Sequence, residues 1–258
     1  MSNILPTVVF FAGACADPSC FDLLAAIFHR AGYPTVYHTA LSLNPSDPAS
    51  TTTLQDAENA RRTTILPLLE NGKELIVVVH SYGGVVGGQA AAGLSKASRL
   101  ADGEKGGIVG LLYIVGNIVL EGETLLQAVG GDYPAFIKTN HPTKGLAVIE
   151  PAIETLYGDA PASRKAELEA AMIPHAMAAF ETPATAPAWL ESEYEGRRTY
   201  LRTLNDRCNP AFLQDIWLEK SGVKWDVRDL ESDHYPFVSR VEEVGTICLE
   251  IFGAWKEG

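Results

Sequence analysis

Residues 75–88 read Leu-Ile-Val-Val-Val-His-Ser-Tyr-Gly-Gly-Val-Val-Gly-Gly. An apolar, mostly β-branched run stops at one His-Ser pair and continues into small residues, the pattern of a buried strand, a tight turn and a helix. A serine hydroxyl is a weak nucleophile until a base takes its proton, and a strand-to-helix turn exposes its oxygen for that purpose. Gly83, two residues after the serine, leaves room for a turn too crowded for a side chain, while Gly84, Gly87 and Gly88 allow the following helix to pack closely. No G-x-G-x-x-G or G-K-[ST] follows the strand, which weighs against a phosphate-cradling loop. Ser81 is therefore the candidate nucleophile, although Val79 occupies the position where the G-x-S-x-G pattern has its first glycine.

Strand-length apolar runs also occur at residues 7–11 and 108–115, with a shorter one at 33–38, and helical patterns lie between them. Residues 19–31 carry Phe21, Leu24, Ala25 and Phe28 on one helix face and stop at Gly32. A second helix is expected over residues 54–69, with Arg61 and Arg62 facing solvent. This alternation implies a mainly parallel central sheet flanked by helices, an α/β fold. From residue 121 to 189 the strand signals stop and helical patches appear between prolines, which reads as a helical cap inserted after the strand at 108–115. Strand signals return at 198–203 and 223–228, before a terminal helix over 239–255. The expected organisation is a core of residues 1–120 and 190–258 with a cap of 121–189.

The chain has 258 residues, 47% of them hydrophobic, enough for one large core. Its formal charge of -12 (20 basic against 32 acidic residues) disfavours nucleic acid or an anionic membrane surface as a partner. The expected partner is a small-molecule ester, with no nucleic acid and no membrane, and a homodimer is the assembly considered. Cys15, Cys20, Cys208 and Cys248 have neither C-x-x-C spacing nor the density of a disulfide scaffold, so reduced thiols and a cytoplasmic location are expected. The apolar stretch at residues 8–16 has no basic flank before it and reads as a first strand rather than a signal peptide. The six histidines are scattered without metal-ligand spacing, so no metal and no cofactor are expected.

A nucleophilic serine needs a base and a carboxylate that orients the base. His234 lies in Asp-Leu-Glu-Ser-Asp-His-Tyr-Pro-Phe, after the last expected strand and before the last helix, where the chain order Ser, Asp, His places the base. His80 is expected to point away from the serine on the turn, and His29 and His38 lie far from the C-terminal ends of the strands. Asp206, just past the strand at 198–203, is the leading carboxylate, with Asp226 and Asp229 as rivals. Donors for a tetrahedral oxyanion are expected from the N–H groups of Tyr82 and Ala14, the latter in the small-residue loop Ala12-Gly13-Ala14-Cys15. Gly13, Cys15, Phe136, Leu156, Tyr157, His175 and Phe180 are the expected substrate contacts, with a structural role favoured over a substrate hydrogen bond for His175 and a place in the pocket wall over a nucleophilic one for Cys15.

With these parts in view, the chain resembles the α/β-hydrolase superfamily, in particular the branch of plant methylesterases, hydroxynitrile lyases and related fungal hydrolases. The resemblance rests on Phe-Phe-Ala-Gly-Ala, His-Ser-Tyr-Gly-Gly, Leu-Asn-Asp-Arg-Cys-Asn-Pro, Ser-Asp-His-Tyr-Pro-Phe and the cap stretch Ile-Pro-His-Ala-Met-Ala-Ala-Phe at residues 173–180. It departs at Val79 and at Ala12, where many relatives have histidine. It implies an α/β-hydrolase fold and a serine esterase acting on a small, largely apolar carboxylic ester, with a methyl ester or lactone of secondary metabolism among the candidates. The alternative is a cofactor-free lyase or a cyclase using the same triad as a general base. The lyases of that branch use a cap lysine, for which Lys138, Lys144 and Lys165 are the candidates here.

Overall fold

The computed structural model describes residues 5–257, so the ends of the expected core segments, residues 1–4 and 258, lie outside the described residues. Six strands, β1 (Thr7–Phe11), β2 (Thr35–His38), β3 (Glu74–His80), β4 (Gly107–Ile114), β8 (Arg198–Thr203) and β9 (Asp226–Leu230), form one parallel sheet in the order β2-β1-β3-β4-β8-β9. Three more, β5 (Ile137–Thr139), β6 (Leu146–Ile149) and β7 (His175–Ala176), form a small antiparallel sheet in the segment between β4 and β8.

The unbroken apolar runs of β1 and β3 follow from burial on both faces. Val9, Phe11, Val77 and Val79 point into one core and Val8, Phe10, Ile76 and Val78 into the other. The helix Gly83–Ala90 packs on the first face, while Asp22–Arg30 and the terminal helix Val241–Glu257 pack together on the second. The first helix begins one residue after a short 3₁₀ turn, Pro18–Phe21, whose entry is capped by Asp17 accepting from the N–H of Ser19 at 2.9 Å.

Three expectations need correction. The segment expected to be a helical insertion contains the small sheet as well, because strands of two to four residues are too short to show a two-residue period and are paired across the chain. The last strand lies at Asp226–Leu230 rather than 223–228: it is an exposed edge, and the apolar Val223 and Trp225 that suggested an earlier start pack into the core beside it. Arg61 is only partly exposed, unlike Arg62. Its guanidinium donates to the carbonyls of Ala90 at 3.1 Å and Ala92 at 2.6 Å, placing a cation at the C-terminal end of the helix Gly83–Ala90. A π stretch, Arg61–Ile65, separates the helices Thr53–Ala60 and Leu66–Glu70, next to Pro67, which has no N–H to continue the α ladder.

Trp217, fully buried on the helix Ala211–Lys220, donates its indole N–H to the carbonyl of Ala128 at 2.8 Å and so ties the segment after β4 to the helix after β8. Trp217→Ala is expected to lower the unfolding free energy by about 3–5 kcal/mol, measured by urea denaturation.

Candidate active site

Ser81 follows β3 directly and holds φ at 48°, a left-handed backbone that a non-glycine residue keeps only when its surroundings impose it. The constraint comes from the turn's neighbours. A Cβ on Gly83 would collide with the carbonyl of Phe11 and lie 2.7 Å from that of Ala12, and one on Gly84 would lie 2.7 Å from the main chain of Asn117. The glycine missing at Val79 is compensated on the facing elements. A Cβ on Gly87 would come within 2.5 Å of one Val79 methyl and a Cβ on Gly116 within 3.0 Å of the other. The space is thus vacated by the partners of residue 79 rather than by that residue. Gly83→Ala is expected to cost about 3 kcal/mol by forcing the turn away from β1, seen as a lower thermal midpoint together with lower activity of the folded fraction.

At the C-terminal ends of β8 and β9 the loops bring Asp206 against His234, with Nδ1 of the imidazole 2.7 Å from Oδ2 of the carboxylate. Oδ1 of Asp206 accepts from the N–H groups of Cys208 and Asn209, both at 2.8 Å, and Oδ2 also accepts from the Thr203 hydroxyl at 2.9 Å. These donors hold the carboxylate in one orientation, so it accepts the Nδ1 proton and leaves Nε2 as the basic nitrogen. Burial opposes a charge on His234, but the Asp206 carboxylate, its hydrogen bond and the neighbouring Cys208 outweigh it and raise the imidazole well above its usual range. The rival carboxylates are engaged elsewhere: Asp229 pairs with Arg202 at 2.8 Å and Asp226 with Arg228 at 3.0 Å.

His80 does not border the cavity and packs against His234. Its Nε2 donates to the carbonyl of His234 at 2.8 Å, and the two rings lie 4.7 Å apart. Burial, with the charge of His234 adding to it, pushes His80 well below the usual histidine range, so it stays neutral.

Ser81, Tyr82 and His234 border one cavity of about 280 Å³ with Ala14, Cys15, Phe136, Leu156 and Phe180. Among the described residues, the main-chain N–H groups of Ala14 and Tyr82 donate to no main-chain acceptor. The side chain of Tyr82 leaves the cavity: its hydroxyl donates to Asp56 at 2.6 Å, and Ser42 donates to the same buried carboxylate through its N–H at 3.0 Å and its hydroxyl at 2.5 Å. Burial raises the Asp56 carboxyl, and the three donors oppose that shift.

Three expected substrate contacts lie outside the cavity wall. Gly13 sits behind the serine, where a Cβ would come 2.9 Å from His80 Nδ1 and 3.0 Å from Ser81 Cβ, so its smallness serves packing. Tyr157 packs against Tyr235 with ring centres 4.4 Å apart, and it is Tyr235 that borders the cavity. His175, fully buried in β7, is an acceptor for the Cys15 N–H at 3.4 Å and stacks on Phe180 at 4.9 Å; burial pushes it down to about 3, which keeps it neutral. Cys15 is in the wall, and burial pushes its thiol up to about 12, far from a nucleophilic thiolate. Lys138, Lys144 and Lys165 do not border the cavity.

Two polar wall residues, Asn117 and Asn209, were given no role in the sequence reading, although Asn209 lies in the quoted stretch Leu-Asn-Asp-Arg-Cys-Asn-Pro. Both lie just beyond strand C-terminal ends, and the rule that ligands gather at that edge of a parallel sheet was the available signal. Among the described residues no three His, Cys, Asp or Glu side chains converge as a metal site, and no helix is long and apolar enough to cross a membrane.

A family model described as the alpha/beta hydrolase family matches residues 8–245. The chain is 26% identical over 241 residues to the alpha/beta hydrolase nvfD of Aspergillus novofumigatus, covering 93% of each protein. Among solved structures it is similar to a pyrethroid hydrolase from Sphingobium faniae JZ-2, with a TM-score of 0.75 at 17% identity over 98% of this chain and 100% of that one. It is also similar to the methylesterase MES16 from Arabidopsis, with a TM-score of 0.69 at 20% identity over 95% and 98% of the two chains.

Proposed function

The chain belongs to the alpha/beta hydrolase family, and from that premise we propose that it is a serine-dependent carboxylic ester hydrolase with Ser81, His234 and Asp206 as its triad. The observation that carries this reading is the Asp206–His234 pair at 2.7 Å, bordering through its imidazole the same cavity as a serine on a left-handed strand-to-helix turn.

In this mechanism Nε2 of His234 takes the proton of the Ser81 hydroxyl as Oγ attacks the ester carbonyl carbon. The carbonyl oxygen becomes an oxyanion facing the N–H groups of Ala14 and Tyr82, whose positions are set before the reaction and need no reorganisation. Asp206 balances the imidazolium without taking its proton. Collapse breaks the bond to the alcohol, which leaves with the proton from His234, and the acyl group stays on Ser81. A water molecule, deprotonated by the same Nε2, then attacks the acyl carbon, releasing the acid and restoring the serine.

The mostly aliphatic and aromatic wall supports a small, largely apolar ester, with a methyl ester or lactone as specific candidates. The methylesterase and pyrethroid hydrolase among the structural neighbours agree with ester chemistry. A lyase relying on a cap lysine is less well supported, since none of the three candidate lysines borders the cavity.

The test is a pre-steady-state burst with p-nitrophenyl acetate combined with fluorophosphonate labelling and peptide mass mapping. A burst stoichiometric with protein and a label on the peptide containing Ser81 are expected. Turnover of the ester by a folded chain that shows neither would overturn the acyl-enzyme mechanism.

A further inference from the structure

The cavity wall carries few polar side chains, and most of them are engaged. The Tyr82 hydroxyl is bound to Asp56, and the Tyr133 hydroxyl donates to Glu181 at 2.8 Å. Arg207 lies exposed at the rim and donates to the carbonyl of Glu154 at 3.4 Å. Two carboxamides differ. Asn117 and Asn209 are 3% and 4% exposed, and both border the cavity. Nδ2 of Asn209 is closed off and without a partner, whereas the Asn117 carboxamide has no closed-off atom and, among the described residues, no hydrogen bond of its own. A buried amide donor left unsatisfied costs about 1–3 kcal/mol, so the Asn209 carboxamide, beside an Asn117 carboxamide free to bond, favours a ligand that gives both a partner.

Their main chains are spent on the triad. The N–H of Asn117 donates to the carbonyl of Ser81 at 2.9 Å, and the N–H of Asn209 donates to Oδ1 of Asp206 at 2.8 Å. Each carboxamide is therefore mounted on a backbone position locked to a residue of the proposed triad, one through the Ser81 main chain and the other through the Asp206 carboxylate. Groups held in this way are preorganised relative to the reacting carbon.

Resting on the esterase reading above, we infer that Asn117 and Asn209 form a polar subsite that recognises a second oxygen function of the substrate, a hydroxyl or carbonyl a few bonds from the scissile carbonyl. A carboxamide donates to either oxygen and also accepts from a hydroxyl, and no charged group is required. The natural substrate is then an oxygenated ester: apolar over most of its surface, with one neutral polar group beside the ester. A site built to bond a polar group discriminates strongly against the analogue lacking it, because the protein amides are left unpaired.

Ethyl butyrate, ethyl 3-hydroxybutyrate and ethyl 3-oxobutyrate test this. They are compared as substrates of the wild-type chain and, by saturation-transfer NMR, as ligands of Ser81→Ala. At least one oxygenated ester is expected to exceed ethyl butyrate by about tenfold in kcat/KM and to bind more tightly. Preference for the 3-hydroxy or the 3-oxo ester identifies which oxygen function is read. In Asn117→Leu and Asn209→Leu that ratio is expected to fall toward one, and because a ratio is internal to the folded fraction, partial misfolding does not change it. Equal turnover and equal binding of all three esters by chains with both asparagines would overturn the inference, as would a preference that survives the double variant. Ester turnover retained by Ser81→Ala would instead remove the serine mechanism and leave the subsite to be judged by the ratio alone.

Discussion

Ser81→Ala is expected to lower kcat for ester hydrolysis by about 10⁴–10⁶-fold, leaving only the slow reaction that cavity binding and the amide donors support. The expected effect is large because in the proposed mechanism both half-reactions pass through the same oxygen, so its removal closes the covalent route rather than weakening one step. The fold should survive. Ser81 is 9% exposed at the cavity and strained at φ 48°, and alanine removes one oxygen without adding volume. Active-site titration with a fluorophosphonate should fall to zero in the same sample whose circular dichroism is unchanged. A variant retaining more than about one per cent of wild-type kcat would exclude Ser81 as the nucleophile.

Asp206→Asn is expected to lower kcat by about 10⁴-fold. The amide preserves size, but its NH₂ end cannot accept the proton on Nδ1, so His234 is driven toward the wrong tautomer and its cation loses the counter-charge. The pH dependence makes this specific. In the proposed mechanism His234 must be neutral to act as base, and its folded value stands well above the usual histidine range, so the acid limb of kcat/KM in the wild type should lie above about pH 6.5. In Asp206→Asn the burial cost is no longer opposed by the carboxylate, and the residual activity should have its limb at lower pH. Stability follows the same linkage. Because the folded value is raised, His234 contributes stability that is fully present below its unfolded value and lost as pH rises through the folded one. Asp206→Asn should therefore destabilise the chain more at about pH 6 than at about pH 9, measured by urea denaturation. An acid limb that does not move would separate Asp206 from the titration of the base.

Much of this was legible from local patterns. The run at residues 75–79 and the glycines after it identified β3, the turn and the helix, since a strand buried on both faces must be apolar throughout and a crowded turn must be small. The pairing of Asp206 with His234 was readable from chain order, because the ends of parallel strands collect at one edge of the sheet. Val79 shows the limit of such reading: residue 79 breaks the local pattern, and the compensation sits at Gly87 and Gly116, on elements that only packing brings opposite it.

The placement of His175, Tyr157 and Gly13 was hidden from the sequence for a related reason. Each lies next to a cavity residue in sequence or in space, yet stands one layer behind the wall, and depth from a cavity surface is not a local property of a chain. The small sheet of β5, β6 and β7 was invisible because its strands are shorter than a detectable period and are stabilised by partners distant in sequence. What the amino-acid order settled was the α/β alternation, the serine turn and the order of the reactive groups, all consequences of periodicity and steric need within a few residues. What waited for the tertiary structure was which side chains line the cavity and which stand behind it, including the two asparagines, because that depends on the summed packing of elements far apart along the chain.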